Sequence, residues 1–518
     1  MTLQSPRRVG AGTSESVWFT VGIPGLLASV LLALGALGVG WIAPASPIAG
    51  DAVLSAVRDS TAGTALAKLL IIAGTALMLR VWLAAGVALR TASVDEARRS
   101  GLMAMAWGLP FLFVPVLFSR DVFSYIAASR LVPAGINPYT EGTGALPSYW
   151  RDGADPMWFD SPSPYGPLWT SVSTLTYHLT GAEPTSSLLA FRLLALVGVG
   201  LLAWFVPRLA QLAGADPGLA TWLGVLNPLV LFHFTASAHN DALMAGLLVA
   251  GVVMAYQRRP VLAIVLVSAA GAVKAPALLG LAFVGLLWAG PGASWRSVAA
   301  AWAKTAAIAV SALGAFTVMS GVGWGWVGNL STPTKVDTWL SPPTAVGRTL
   351  GLVLEPLVGA SPEAALDATR TVAAVAAVGI VAALLLTHRS RSPLRGLVIA
   401  MVAVIALGPV LQPWYALWAL PLVAALRLSR AERNVAVGLT VGLSIYSVAN
   451  TAATTESAVS LPDGVAAVVS VVALGAVVAA SRQVREGVRR PASRESRSDS
   501  PPGESALVAT RAVSPSKT

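Results

Sequence analysis

The chain has 518 residues, 55% of them hydrophobic and 11% charged, with a mean hydropathy of +0.71. Soluble domains carry about 25% charged residues, so the composition excludes a soluble enzyme and points to an all-α polytopic membrane protein. The net charge of +11 is spread over short connections rather than gathered into a nucleic-acid-binding face, and the absence of cysteine excludes disulfides, thiolate metal sites and cysteine nucleophiles.

Residues 1–17 form an N-terminal tail containing Arg7-Arg8. The apolar stretch from Val17 to Trp41 exceeds the roughly 7–15 residues of a signal-peptide core and reads as a retained signal anchor. An apolar run of roughly 20 residues crosses a bilayer. Runs of that kind, several of them short, are expected at 18–42, 64–89, 101–118, 186–207, 219–235, 240–256, 260–273, 275–289, 297–319, 364–386, 395–411, 414–427, 433–450 and 464–481. They predict a domain over 18–481 built of about 12–14 transmembrane helices. The pair 260–273 and 275–289 is expected to break at Lys274-Ala275-Pro276. The tail 482–518 is basic, rich in Ser, Arg and Pro, and lacks an apolar face, so it is expected to be disordered.

Arginines assign the two sides. Arg90, Arg98, Arg99, Arg208, Arg258, Arg259, Arg296, Arg389, Arg391, Arg395, Arg427, Arg430 and Arg433 fall in alternate connections. The positive-inside rule makes those connections cytoplasmic. Two long loops, 119–185 and 320–363, then face outward, provided that 167–180 and 344–358 lie in the interface as helices rather than crossing. The protein is therefore expected in the plasma membrane, with its chemistry on the extracytoplasmic face.

Loops longer than roughly 12–15 residues are usually functional or disordered. The run RDVFSYIAASRLVPAGINPYTEGTGALPSYWRDGADPMWFDSPSPYGPLW, residues 120–169, is too aromatic for disorder. Asp121 at its start reads either as a helix-end charge paired with Arg120 or as a general base at a cavity mouth. Asp152, Asp155 and Asp160 read as turn formers. Trp150, Trp158, Phe159, Tyr165 and Trp169 suit an interfacial belt or flat faces for sugar rings. His239-Asn240-Asp241 caps the helix that follows, contributes to a site, or does both. Lys274, fixed by Ala275-Pro276, either snorkels or joins Arg120, Arg130, Lys335 and Arg348 in a pocket for a lipid phosphate. Gln412-Pro413-Trp414-Tyr415 forms a tight outer hairpin. No pair among Asp152, Asp155 and Asp160 matches a metal motif, and the sequence names no cofactor and leaves dependence on a divalent metal open.

The order of these motifs resembles a known family. Asp121-Val122-Phe123-Ser124-Tyr125, Asn137-Pro138-Tyr139, Ser163-Pro164-Tyr165-Gly166-Pro167-Leu168-Trp169, His239-Asn240-Asp241-Ala242-Leu243-Met244, Lys274-Ala275-Pro276 and Gln412-Pro413-Trp414-Tyr415 look like those of actinobacterial alpha-1,6-mannopyranosyltransferases of the GT-C superfamily. The resemblance covers roughly residues 18–480. It implies a GT-C-like bundle, a polyprenyl-phosphate-mannose donor, and a lipid-anchored alpha-1,6-mannan acceptor of the lipomannan and lipoarabinomannan type. It also implies that Asp121 is the base. Tyr125, Trp158, Tyr165, Trp169, His239, Asn240, Asp241, Gln412, Trp414 and Tyr415 are expected to line the sugar and acceptor site. No Asp-x-Asp motif or strand–helix alternation suggests a nucleotide-sugar site. The alternatives from other classes are a flippase for lipid-linked saccharides, which would place polar groups near the midplane, and an envelope glycan polymerase or ligase.

Overall fold

Proline marks where many of the helices begin. It is favoured at the first helical position because its missing N–H would be unpaired there anyway. Pro184, Pro217, Pro342 and Pro362 open helices whose preceding residues, Glu183, Asp216, Ser341 and Ser361, accept hydrogen bonds from first-turn amides. Pro260 and Pro393 open two more.

The computed structural model of the chain describes residues 17–336, 338–359, 361–387 and 392–454. Its helices run in chain order as α1 (Ile23–Val39), α2 (Ala52–Asp59), α3 (Thr61–Ala88), α4 (Val94–Gly101), α5 (Met103–Gly108), α6 (Asp121–Ser129) and α7 (Pro167–Thr180). They continue as α8 (Pro184–Leu212), α9 (Pro217–Gly224), α10 (Asp241–Tyr256), α11 (Pro260–Val273), α12 (Leu279–Ala289) and α13 (Trp295–Ser320). The last are α14 (Pro342–Val358), α15 (Pro362–Leu386), α16 (Pro393–Ala406), α17 (Ala416–Ala424) and α18 (Arg430–Thr454). No strand occurs among the described residues; the one extended contact is an antiparallel bridge from Trp41 to Val116. The expected span 464–481, the tail 482–518, residues 1–16, Arg389 and Arg391 lie outside the described residues.

Five helices among the described residues are long and apolar enough to cross a membrane: Trp18–Val39, Thr61–Ala88, Pro184–Leu212, Trp295–Ser320 and Pro362–Leu386. The pair Val230–Ala236 and Asp241–Tyr256 is long and apolar enough only when taken together, and its bend of 115° makes it a broken span or a re-entrant loop. Shorter apolar helices, among them Pro260–Val273 and Ala275–Ala289, accompany them. The architecture is that of an all-α polytopic membrane protein. The break at Lys274-Ala275-Pro276 lies where expected, with a 3-10 turn over Ala275–Leu278.

Two expected continuous spans differ. The stretch 101–118 forms α5, then a 3-10 turn over Leu109–Phe113, then extended chain. The stretch 219–235 forms α9, a break, and a π-helical turn over Val230–Ala236. Pro110, Pro115 and Pro228 remove amide donors and clash with preceding turns, which ends regular helix there. The freed carbonyls are collected by Arg192 of α8. Its side chain is fully buried, and it donates to the carbonyls of Val114 at 2.7 Å, Ala236 at 3.0 Å and Pro115 at 3.4 Å. Three donations from this buried guanidinium to backbone carbonyls thus tie two broken segments together at one point.

Close helix approaches bring the site elements together. A methyl group at Gly198 of α8 would lie 2.3 Å from the backbone of Ala242 in α10, so only glycine permits this crossing. Gly166, just before α7, abuts the Ala272 backbone at the end of α11 in the same way. The two long loops are stitched to each other. Asn329 donates to the Tyr139 carbonyl at 3.0 Å, Asn137 to the Val322 carbonyl at 3.1 Å, and Lys335 to Ser161 Oγ at 2.9 Å.

Candidate active site

Broken helices converge on one group of side chains. Asp121 is the first residue of α6, and its backbone amide meets Ser119 Oγ at 3.3 Å. His239 and Asn240 lie on the corner before α10, and Asp241 begins that helix. Lys274 follows α11. Trp414 and Tyr415 occupy a 3-10 turn leading into α17, which carries Trp418. Phe118 (φ 67) and Ala238 (φ 55) hold left-handed conformations beside these elements. Strain of that kind concentrates at functional sites.

Asp241 is fully buried and completely engaged. Lys274 Nζ meets both its carboxylate oxygens at 2.9 Å, and Trp418 Nε1 donates to one of them. The ammonium is surrounded by the rings of Trp418, Tyr415 and Tyr165, whose centroids lie 5.4, 5.5 and 5.7 Å from it. Such positions are favourable for a desolvated cation. Two of the three Lys274 N–H groups are thus committed to Asp241, leaving one for a ligand.

Asp121 is not paired with Arg120. Arg120 instead donates through two nitrogens to Asp155 Oδ2, at 3.1 and 2.7 Å. Arg130 is bound to Asp152 and donates to the Pro147 carbonyl at 2.9 Å. Two of the expected phosphate-binding arginines therefore arrive paired inside loop 119–185. Asp152 and Asp155 act as their counter-ions, and Asp155 also caps the short turn that follows it. Lys335 bonds Ser161, and Arg348 lies on α14 within the field of Glu363. The charges that act most on Asp121 are those of Lys274, Asp241 and Asp155.

Among the described residues Asp121 makes no ion pair with Lys or Arg, and its side chain keeps 28% of its surface open. Desolvation by its surroundings raises its pKa to about 6, against the opposing charge of Lys274 and with a further push from Asp241. His239 stands between the two carboxylates, with Nδ1 3.8 Å from Asp121 Oδ2 and 3.7 Å from Asp241 Oδ2. Its ring is fully buried and stacks on Trp414 at 4.2 Å with an interplanar angle of 28°.

Both His239 ring nitrogens, Asn240 Nδ2 and Trp414 Nε1 are buried without a hydrogen-bond partner. Few buried polar atoms in a native protein lack one, so this cluster marks a place that a polar ligand would satisfy. Tyr125 Oη donates to Asn240 Oδ1 at 3.4 Å. The Tyr125 ring meets Tyr165 and Trp169 edge-on at 5.5 and 5.1 Å.

Tyr125, Tyr165, Trp169, His239, Asn240, Asp241, Trp414 and Tyr415 are thus gathered with Asp121 and Lys274. Gln412 is half-buried at the start of the same turn. Trp158 sits in a separate short turn of the loop, Pro156–Trp158. Asn240 makes no side-chain cap on α10, which leaves it free for the site. Sequence reasoning missed Trp418, His233 and Ser447. Trp418 lies one turn after Trp414, a spacing that places both on one face. His233 lies 5.5 Å from the Trp414 ring and bonds Ser447 Oγ at 2.9 Å; no local signal connects it to a residue so distant in sequence. No group of three or more His, Asp or Glu among the described residues is placed to hold a metal.

Residues 22–290 match the family described as alpha-(1->6)-mannopyranosyltransferase, N-terminal domain. Residues 343–479 match the MptB C-terminal domain. A probable alpha-(1->6)-mannopyranosyltransferase of Mycolicibacterium smegmatis is 32% identical, over 82% of this chain and 81% of its own. Alpha-(1->6)-mannopyranosyltransferase A of Mycobacterium tuberculosis is also 32% identical, over 82% of each chain. Alpha-(1->6)-mannopyranosyltransferase B of Corynebacterium glutamicum is 27% identical, over 76% of this chain and 71% of its own.

Proposed function

The chain belongs to the alpha-(1->6)-mannopyranosyltransferase family, and from that premise we propose that it transfers mannose from polyprenyl-phosphate-mannose to an alpha-1,6-mannan acceptor. The acceptor is lipid-anchored, in the manner of lipomannan and lipoarabinomannan, and the reaction takes place at the extracytoplasmic face of the plasma membrane.

One observation carries this reading. Asp152, Asp155 and Asp241 are each held by a cation, whereas Asp121 is left without Lys or Arg, partly open, and with its pKa raised to about 6. A carboxylate with its pKa raised toward neutrality is a stronger base than an ordinary one and remains ionised at neutral pH. It takes the proton of the attacking acceptor hydroxyl as the new bond to the anomeric carbon forms. The bond from that carbon to phosphate breaks, and polyprenyl phosphate departs with the bonding pair. A beta-linked donor gives an alpha product in this single inverting displacement, so one base suffices.

Lys274 supplies positive charge toward the departing phosphate through its uncommitted N–H, and fixed charge of this sort favours the transition state. Arg120 and Arg130 form a second layer of charge that Asp155 and Asp152 keep oriented. The His239 ring stands between Asp121 and Asp241 with Nδ1 toward both carboxylates, and Trp414 fixes the plane of the imidazole. Tyr125, Tyr165, Trp169, Trp414 and Tyr415 provide flat apolar faces for the sugar rings.

Membranes given labelled polyprenyl-phosphate-mannose and a short alpha-1,6-mannoside test the reading. It requires label in a lengthened, alpha-1,6-linked product. Transfer from a nucleotide-linked mannose alone would contradict it, as would movement of a lipid-linked saccharide across the bilayer without transfer.

A further inference from the structure

At the opposite end of the helices that carry the site lies a second feature. The α10 helix runs from Asp241 to Tyr256 and α11 returns from Pro260 to Val273, so the turn between them is far from Asp121. Fourteen helical residues span about 21 Å. Here Ala255, Arg258, Pro260, Val284, Leu287 and Trp288 enclose a recess of about 220 Å³.

The chemistry of this recess is divided. Its wall is apolar except for Arg258, whose backbone is held at φ 60, in the left-handed region that an arginine rarely enters. The guanidinium extends toward Gly290, with Nη1 about 4.0 Å from where a side chain there would begin. Lys304 contributes a second cation, with Nζ 5.6 Å from the centroid of the Trp288 ring. No acidic residue lines the recess, and among the described residues neither Arg258 nor Lys304 forms an ion pair. Next to it, Val261 and Leu262 expose 55% and 43% of their surfaces on α11.

We propose that this recess binds the phosphate headgroup of an anionic phospholipid in the leaflet opposite the candidate active site. Arg258 forms the paired hydrogen bonds that a guanidinium makes with phosphate oxygens. Lys304 adds a second positive charge at the rim. The apolar wall and the neighbouring Val261 and Leu262 accept the glycerol and the first acyl carbons, which a free phosphate does not have. Basic pockets between transmembrane helices on the cytoplasmic side are the usual form of headgroup site. Helices α10 and α11 have their other ends at His239, Asp241 and Lys274, so the lipid would brace the two elements that position the site.

Native mass spectrometry of the full chain, titrated with phosphatidylglycerol or phosphatidylcholine, tests this. The expected result is selective retention of phosphatidylglycerol. Arg258→Gln weakens it about tenfold or more, the loss of a charge-assisted hydrogen bond, and Lys304→Gln weakens it less. Arg258→Lys gives an intermediate affinity, since it keeps the charge without the planar fork, and it shows that the effect is not one of misfolding. Arg208→Gln, at a separate basic connection on α8, leaves retention unchanged. Equal retention by the wild type and Arg258→Gln overturns the proposal, as does an equal loss in Arg208→Gln. Displacement of the lipid by millimolar inorganic phosphate makes the recess a site for a soluble anion and likewise overturns it.

Discussion

Lys274 meets both carboxylate oxygens of Asp241 at 2.9 Å, and Asp241 has no exposed surface. The lysine therefore has a structural duty as well as an electrostatic one. Removing one partner of a buried pair leaves an uncompensated charge, at a cost on the order of 3–5 kcal/mol. Lys274→Ala is expected to melt well below the wild type, and Lys274→Ala with Asp241→Asn to recover most of that loss. The double variant should remain folded yet show a raised apparent KM for the lipid donor. Normal donor dependence in the recovered double variant would remove Lys274 from phosphate recognition.

The placement of His239 makes a sharper prediction. Its Nδ1 faces Asp121 and Asp241 at 3.8 and 3.7 Å. An asparagine amide nitrogen occupies roughly the position of Nδ1, whereas a glutamine amide nitrogen reaches that of Nε2. His239→Asn is therefore expected to retain several times the kcat of His239→Gln. The reverse ranking would assign the function of His239 to Nε2 and to substrate contact.

The pH dependence follows from the raised pKa of Asp121. A base must be ionised to act, so activity is lost as the pH falls through its pKa. The limb of kcat/KM, which reports the free enzyme, is expected near pH 6, with a tenfold loss per unit below it and a plateau above. A limb near the ordinary carboxylate value of 3.8 would show that Asp121 is solvated as a common surface acid.

Sidedness can be read with single cysteines, since the chain has none of its own. Glu141→Cys in the long loop should react with an impermeant thiol reagent on intact cells, and Asp95→Cys in α4 should react only after permeabilisation. Both residues are exposed. The opposite pattern would invert the topology.

Much of this arrangement was legible in the chain because local chemistry set it. Pro260 and Lys274-Ala275-Pro276 bound a helix found at Pro260–Val273, as expected, and 167–180 is a helix at Pro167–Thr180. Stretches such as 101–118 misled because apolar content signals burial in lipid or protein, whereas Pro110 and Pro115 decide whether helix continues. The ion pairs were beyond local reasoning. Arg120 has Asp121 beside it in sequence but pairs with Asp155, and Asp241 takes Lys274 from 33 positions away. Those choices depend on how separate helices cross, and no periodicity encodes them. The recruitment of His233 and Ser447 is of the same kind.

Asp121→Asn tests the central claim most directly. The amide keeps the shape of the side chain but cannot take a proton at neutral pH. Turnover of labelled polyprenyl-phosphate-mannose should fall about 10²–10⁴-fold, with the KM for donor little changed. Because the folded pKa of Asp121 is raised from 3.8 to about 6, its ionisation carries a stability cost that builds between those two values and is full above them. At pH 7.5 the variant should therefore melt no lower than the wild type, and that margin should shrink as the pH falls from about 6 toward 3.8. Wild-type turnover in a well-folded Asp121→Asn enzyme would contradict the account and place the base elsewhere in the loop, with Asp160→Asn the next variant to assay.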